Sequence, residues 1–235
     1  MGTLTGQQIV DRAWIKAQDT TGGSGVRWPA AEALLWLNDG QREVVNQLPK
    51  SYTLSSTPTV EAGTRQTLIG LGISDGISVV DITRNFNLAG SVPGRSVTRR
   101  DRVWFDDQLP EWHSAVGAQA QHWCYDERDP KAFYLYPAIS GAAGKLEVIY
   151  SAIPTSLGAL SSVIVLDDVY ANALQWFVLF SFYSKDATYT KSPQMAASYW
   201  ALFMQSLGFR DKSVMQIAMS GDAKAAGQGP AMAPT

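Results

Sequence analysis

The spacing of apolar residues changes twice along the chain, and this change most limits the folds that the chain can adopt. Before about residue 50 and after residue 166, apolar side chains recur every three or four residues, as on one face of a helix. Between Tyr52 and Pro154 they alternate with polar side chains, as in half-buried strands. Helices, then strands, then helices predict an α+β protein.

The N-terminal helices have recognisable start signals. Thr5 and Gln8 have the spacing of a capping box, which predicts a first helix from this point. A glycine-rich stretch, residues 20–25, is expected to be a flexible break. A second helix is expected from Trp28, with Pro29 at its first helical position, to about Leu48. Its expected apolar stripe comprises Ala31, Leu34, Leu35, Asn38, Gln41 or Arg42, Val45 and Leu48.

Gly40 interrupts the second helix. A glycine inside a helix costs roughly 1 kcal/mol relative to alanine. Tight packing of another helix against Gly40 would explain the glycine.

The middle of the chain is rich in β-branched and aromatic residues, which favour strands. Strands are expected at 77–82, 121–125, 132–136 and 146–150, the last three forming a meander. A short helix is expected between Asp106 and Ala115, with Pro110 in its first turn.

The helix expected from about Asp168 to Ser184 is apolar nearly all round, so it must be covered on all sides. It could be the central helix of one subunit, or neighbouring subunits of a ring could cover it; the ring is favoured here. Trp176, Phe180 and Tyr183 on this helix are therefore candidate subunit-interface residues.

The elements define four regions. They are the N-terminal helices (1–50), a β domain (51–160), the C-terminal helices (161–210) and a mobile C-terminal tail (211–235). The last helix is expected from Ser192 and Pro193 to Gly208.

Composition excludes several protein classes. The 19 basic and 21 acidic residues give a net charge of −2, which disfavours a protein that wraps duplex DNA. The single Cys124 allows neither a disulfide framework nor a thiolate zinc site.

Charged residues make up only 17% of the chain and aromatic residues 11%, which favours assembly into a complex. We expect no signal peptide and no membrane helix, because the most apolar run, residues 173–183, is too short.

Few residues suggest catalysis. His113 and His122 are the only histidines, and neither has a metal-binding spacing. No nucleophile elbow or phosphate-binding loop occurs. We therefore expect no enzyme activity, no metal and no cofactor.

The alternative is a carbohydrate-binding or glycoside-hydrolysing protein. Two convergent carboxylates could hydrolyse a glycosidic bond. The acidic candidates are Asp101, Asp106, Asp107, Glu111, Asp126, Glu127 and Asp129. A sugar-binding module would instead expose a stacking platform formed by Trp104, Trp112 or Trp123.

A basic cluster lies between the predicted strands. It comprises Arg95, Arg99, Arg100 and Arg102, with Asp101 inside it. The cluster could contact phosphate, but ion pairs across a protein interface are favoured. Arg99, Arg100 and Arg102 are therefore further subunit-interface candidates.

Six sequence blocks occur in the order found in head-to-tail adaptor (connector) proteins of tailed bacteriophages, which the chain resembles. They are WPAAEALLWLNDGQR (28–42), GTRQ (63–66), DITRN (81–85), LPEWH (109–113), YDERDPK (125–131) and LEVIYSA (146–152). The resemblance spans about residues 5–155 and, more loosely, the helices to about residue 210. One departure is Ala30, where the family has an acidic residue.

The resemblance implies a structural virion protein. Such adaptors form a ring, typically dodecameric, which docks under the portal protein, carries a tail or nozzle protein and encloses the DNA channel. The passing genomic DNA would not be bound sequence-specifically, and no membrane is involved. The expected location is the virion neck, after assembly in the host cytoplasm.

The resemblance also implies an architecture. The N- and C-terminal helices would form a helical bundle with an inserted antiparallel β domain. Residues 211–219 correspond to a segment that reaches into the portal in related connectors, and methionines there can adapt to an uneven groove. The candidate portal-binding residues are Lys212, Met215, Ile217 and Met219.

Overall fold

The chain folds into two compact units in the computed structural model, which describes residues 2–19, 27–125, 128–139, 144–186 and 190–208. The described residues up to Leu48 and from Thr155 onward form the first unit, and Pro49–Pro154 form the second. Helices dominate the first unit and sheets the second, so the mixed α+β class is confirmed. The predicted break at 20–25 and tail at 211–235 lie outside the described residues.

The helices of the first unit are α1 (Gly6–Lys16), α2 (Ala30–Gln47), α4 (Ala171–Lys185) and α5 (192–208). The second unit contains α3 (Arg102–Gln108). Among the described residues, no helix combines the length and hydropathy needed to cross a bilayer.

The predicted capping box at the start of α1 is confirmed. The Thr5 hydroxyl accepts a hydrogen bond from the Gln8 N–H (3.3 Å), and the Gln8 side chain accepts one from the Thr5 N–H (3.0 Å). Both donors would otherwise lack a partner at the helix terminus.

Residues 3–6, at the start of α1, are hydrogen-bonded to residues 162–168, and this contact is here called the Asp168 clasp. The Gly6 N–H donates to the Ser162 carbonyl, and the Ile164 N–H donates to the Leu4 carbonyl, each at 2.9 Å. The Asp168 carboxylate accepts hydrogen bonds from the N–H groups of Thr3 (2.7 Å) and Leu4 (3.0 Å) and from the Thr3 hydroxyl. The hydrogen bond from the Thr3 hydroxyl and those from the two N–H groups lower the pKa of Asp168.

The start of α2 differs from the prediction by one residue. Pro29 is the N-cap, with an extended ψ of 147°, and Ala30 is the first helical residue. The predicted apolar stripe is wrong in part, since Ala31, Leu35 and Arg42 are exposed. The buried residues are Ala33, Leu37, Asn38, Gly40, Gln41, Val44 and Val45.

Two amide side chains of the predicted stripe, Asn38 and Gln41, are buried on α2. The Asn38 side chain exchanges two hydrogen bonds with the Leu157 backbone, at 2.7 and 3.1 Å. The Gln41 side chain accepts one from the Val165 N–H at 2.9 Å. Because a non-helical segment, residues 155–166, packs here, its backbone groups need polar partners, and these two amides supply them.

The predicted close approach at Gly40 is confirmed. A Cβ atom at this position would lie 3.0 Å from Cδ1 of Phe177 and 3.5 Å from Cδ2 of Leu174. Both residues belong to α4, so glycine lets α2 and α4 pack closely.

The strands form two sheets in the described part of the second unit. Strands β1 (Thr53–Ser56), β9 (Lys145–Ala152), β3 (Gly76–Phe86) and β4 (Pro93–Ser96) lie in this order in the first. The second has the order β2 (Gly63–Thr67), β8 (Ala132–Ile139), β7 (His122–Tyr125) and β5 (Thr98–Arg99). The short β6 (Val116–Gly117) also pairs with β8. The β5–β7 and β6–β8 pairs are parallel, so the second sheet is mixed and the expected antiparallel β domain is wrong in this part.

The predicted meander is wrong at its last strand. β7 and β8 are antiparallel neighbours, but β9 lies between β1 and β3 in the other sheet. A strand has only two edges, and β8 already pairs with β2, β7 and the short β6. β9 therefore has no free edge of β8 to pair with.

The two sheets share one hydrophobic core. β3 and β9 contribute Ile82 and Val148, and β7 and β8 contribute Trp123 and Leu135. The buried Asn85 of β3 links the sheets, because its side chain donates to the Ala120 carbonyl (2.8 Å) and accepts from the Ala120 N–H (2.9 Å). This link fixes β3 relative to the chain entering β7.

The predicted helix between Asp106 and Ala115 is also wrong. α3 ends at Gln108, and a 3₁₀ turn follows at Trp112–Ser114. Pro110 lies between them. Because proline lacks an N–H and disfavours helical backbone in the preceding residue, one continuous helix does not form here.

The Gly40 contact gives a stability prediction. We expect Gly40→Leu to lower the free energy of unfolding by about 1–3 kcal/mol, since the added side chain would force α2 and α4 apart. The exposed control on the same helix, Asn46→Leu, should stay within about 0.5 kcal/mol. Urea unfolding measures both, and equal stability of the two variants would contradict the packing described.

The Asp168 clasp gives a second prediction. We expect Asp168→Asn to speed amide hydrogen exchange in residues 3–6, because a neutral amide accepts these hydrogen bonds more weakly. In the wild type, the pKa of Asp168 is lower in the folded chain than in the unfolded chain, where it is about 3.9. The ionised carboxylate therefore stabilises the fold above about pH 3.9, and this stabilisation is lost as the pH falls through the pKa of the folded chain. The control Asp167→Asn should leave exchange in residues 3–6 unchanged, and faster exchange there in that variant would contradict the assignment.

Candidate interaction surfaces

α4 is packed by helices of its own unit. Ten of its 15 residues are buried. The aromatic ring of Phe177 meets α2 at Gly40 and lies 5.4 Å from the ring of Phe203 in α5. Trp28, just before α2, stacks on Phe182 at 4.9 Å, and its indole N–H donates to the Phe182 carbonyl. One subunit therefore covers most of this apolar helix without a second copy.

The three interface candidates on α4 differ in the surface they leave free. Tyr183 is buried against Trp28 and Tyr199. Trp176 and Phe180 are half-buried and pack on Tyr199 and Trp200 of α5, with ring centroids 6.0 and 5.1 Å apart. Of the three, Trp176 and Phe180 keep accessible ring surface.

Lys16 packs on the ring of Trp176. Its Nζ lies 3.7 Å above the centroid of the Trp176 ring, a cation–π contact. Burial lowers the pKa of Lys16, and the nearby Arg12 charge lowers it further.

The three arginine candidates lie on the exposed surface of the second unit. Each guanidinium lies over an aromatic ring: Arg99 over Trp123 (5.6 Å) and Tyr125 (5.8 Å), Arg100 over Trp104 (5.4 Å), and Arg102 over Tyr134 (5.2 Å). Arg102 also lies 3.8 Å from the Asp106 carboxylate. These rings orient the arginines and leave their charges at the surface.

Both histidines have structural contacts. His113 stacks on Trp112 at 3.6 Å, and its Nδ1 lies 3.0 Å from the Thr64 hydroxyl. The Nδ1 of His122 lies 2.9 Å from the Thr98 hydroxyl. Burial lowers the pKa of His122, and the nearby Arg100 and Arg95 charges lower it further.

The features that the carbohydrate alternative needs are not assembled in the described residues. Trp112 and Trp123 are 2% and 1% exposed, so neither offers a ring face to a sugar, while Trp104 is 37% exposed. Asp106 accepts a hydrogen bond from the Trp112 indole, and Asp129 pairs with Arg65 at 2.9 Å. Asp126 and Glu127 lie outside the described residues. No group of three or more possible metal ligands occurs in the described ranges.

Two surface cavities lie in the second unit. The first, here called the Trp112 cavity, has a volume of about 560 Å³ and is lined by Gln108, Leu109, Pro110, Glu111, Trp112, Ser114, Ala115 and Tyr136. The second has about 540 Å³ and is lined by Pro49, Lys50, Ser78, Val79, Val80, Asp81, Arg99, Trp123 and Tyr125. Both volumes are in the range of ligand and side-chain pockets.

Sequence reasoning missed the tip of the β3–β4 hairpin, residues 87–92. Leu88 and Val92 are 60% and 59% exposed there. The sequence signal that could have indicated this exposed turn was Gly90 flanked, two residues away on either side, by the apolar Leu88 and Val92. No acidic residue occurs from 84 to 96. The portal-binding candidates Lys212, Met215, Ile217 and Met219 lie outside the described residues.

The sequence of the chain matches a protein-family model. The model of the SU10 adaptor protein family matches residues 4–225, nearly the whole chain. The match confirms the resemblance to phage head-to-tail adaptors that the six sequence blocks indicate. None of the curated proteins compared with the chain matches it.

The lowered pKa of His122 gives a pH prediction. Below about pH 6.5 the unfolded chain binds a proton at this histidine before the folded chain does, so stability falls as the pH is lowered. We expect His122→Gln to lose less stability than the wild type between pH 7 and pH 5 in urea unfolding. Equal losses in the two proteins would contradict the assignment.

Proposed function

The chain belongs to the SU10 adaptor protein family, and on that premise we propose that it forms a head-to-tail adaptor ring in a phage virion. The ring, expected to be a dodecamer, joins the portal protein to the tail or nozzle protein and surrounds the DNA channel. The observation that carries the proposal is the family match across residues 4–225, which includes both units.

The charge and composition of the chain suit this role. A net charge of −2 limits adhesion of passing genomic DNA, which is itself negative, and requires no sequence-specific contact. Aromatic residues are enriched at protein interfaces, and this chain has eight tryptophans. An adaptor family also favours a structural role over a catalytic one.

The two units have separate roles in the proposed ring. The helices of the first unit form the subunit bundle, and the second unit is an inserted, outer β domain. The candidate contacts between neighbouring copies are the accessible edges of Trp176 and Phe180, supported by Tyr183. Arg99, Arg100 and Arg102 are the charged candidates, since they are held at the surface by aromatic rings.

The C-terminal segment is the proposed portal contact. Lys212 and the apolar side chains of Met215, Ile217 and Met219 give residues 211–219 a mixed charged and apolar character. Flexible methionines would adapt to a groove on the portal. The finished protein would lie at the neck of the virion after assembly in the host cytoplasm.

Portal docking can be tested directly. The full-length protein is mixed with the purified portal ring of its virus and imaged by negative staining. We expect an added ring beneath the portal. If the full-length protein leaves the portal bare, the proposed function is wrong.

Two variants test the C-terminal segment. Truncation after Gly208 should leave the helical circular dichroism signal and cooperative unfolding in place but abolish portal binding. The full-length variant Met215→Asp/Ile217→Asp should bind at least roughly tenfold more weakly, because charges would enter an apolar contact. Normal portal binding by the truncated protein would overturn the role of this segment and leave the ring itself standing.

A further inference from the structure

The tip of the β3–β4 hairpin is a preformed projection. The Asn87 side chain accepts hydrogen bonds from the N–H groups of Ser91 (3.0 Å) and Val92 (3.2 Å). The Asn87 backbone N–H donates to the Val92 carbonyl (3.1 Å), and Gly90, with a φ of +73°, donates to the Asn87 carbonyl (2.8 Å). Only glycine adopts that φ freely, so the turn has a defined shape before it meets any partner.

This projection presents apolar side chains to solvent. Leu88 and Val92 leave more than half of their surface exposed, and the following strand β4 is exposed along its whole length. The base of the hairpin is held, because Asn85 donates to the Arg95 carbonyl at 2.9 Å as well as bonding to Ala120. A rigid apolar tip loses little conformational entropy on binding, which favours its use as an anchor.

The Trp112 cavity is a concave surface in the same unit, and its Trp112 side chain is held in place. Leu109, Pro110, Ala115 and Tyr136 supply apolar lining. Trp112 is fixed by its indole hydrogen bond to Asp106 (2.9 Å) and by ring contact with Phe105 (5.2 Å). With a volume of about 560 Å³ the cavity is an open surface depression that can receive aliphatic side chains.

The two features carry opposite charge. Residues 84–96 of the hairpin contain no acidic residue and include Arg95 and Arg84, of which Arg84 lies 3.7 Å from the Glu147 carboxylate of β9. Lys145 lies beside the tip, with its Nζ 3.3 Å from the Cβ position of Gly90. Glu111 is the charged residue among those that line the cavity, and the nearby Asp106 lies 3.8 Å from Arg102. Arg95 and Lys145 at the projection are therefore opposite in charge to Glu111 at the cavity, which favours contact between the two surfaces.

From this complementarity we infer that the hairpin tip of one copy inserts Leu88 and Val92 into the Trp112 cavity of the next copy. The inference rests on the proposed ring and names a contact within it. Arg95 would then face Glu111 at the cavity of the neighbouring copy. A head-to-tail contact of this kind uses a different surface on each partner, and repetition around an axis closes a ring.

Crosslinking tests the contact. The variant Leu88→Cys/Ser114→Cys, with one cysteine at the tip and one at the cavity, is treated with a short bismaleimide and separated under denaturing conditions. The native Cys124 is buried and should not react in the folded protein. We expect a ladder of multimers extending to the full ring. Each single-cysteine variant should give no species beyond a dimer.

Mixing two defective variants tests the direction of the contact. Leu88→Asp/Val92→Asp should disable the tip, and Ser114→Trp should fill the cavity. Each variant alone should fail to form rings, whereas their mixture should form dimers through the one intact contact and no larger species. Ile69→Asp places a charge at another exposed apolar position of the same unit and should assemble like the wild type. Cooperative unfolding of all variants confirms that they are folded.

The outcomes separate this inference from the proposed function. Crosslinking is carried out both on the portal ring and with concentrated protein alone. A ladder in either setting supports the inference. Portal binding without any ladder overturns the hairpin contact and leaves the adaptor function. A ladder without portal binding supports the contact and overturns the function. Dimers alone from the double-cysteine variant, or normal rings from Leu88→Asp/Val92→Asp, overturn the contact.

Discussion

The need to cover α4 on all sides determines the design of the first unit. Residues 169–184 contain no charged side chain, so this helix can be stable in water only when it is enclosed. α2 approaches closely at Gly40, Trp28 stacks on Phe182, and α5 brings Phe203 against Phe177. The chain thereby covers most of this helix by itself.

Buried polar groups complete the same unit where helix packing cannot. Asn38 and Gln41 bind the backbone of the non-helical segment between residues 155 and 166, and Asp168 holds the chain ahead of α1. These contacts join parts of the chain that are more than 100 residues apart in sequence. The chain segments before and after residues 49–154 are thereby joined to each other within the first unit.

The sequence predicted the local features well and the long-range ones poorly. The capping box at Thr5 and the close approach at Gly40 depend on neighbouring residues or on a single missing side chain, and both were foreseeable. The partners of β9 were not foreseeable, because alternation with a period of two identifies a strand but not the strands that pair with it. The face of α2 was predicted only in part: Asn38 and Gln41 were placed on it, but the segment that their side chains bind lies over 100 residues away and was not foreseeable. The Trp112 cavity arises where Pro110 ends α3, which no periodic pattern reveals.

The covering of most of α4 by helices of its own chain requires no second copy. Amide hydrogen exchange of residues 174–182 tests it in protein diluted until sedimentation shows only monomers. The account predicts that these amides exchange as slowly in the dilute monomer as in concentrated protein, because α1, α2 and α5 of the same chain cover them. Rapid exchange in the monomer, with protection appearing only on assembly, would contradict it.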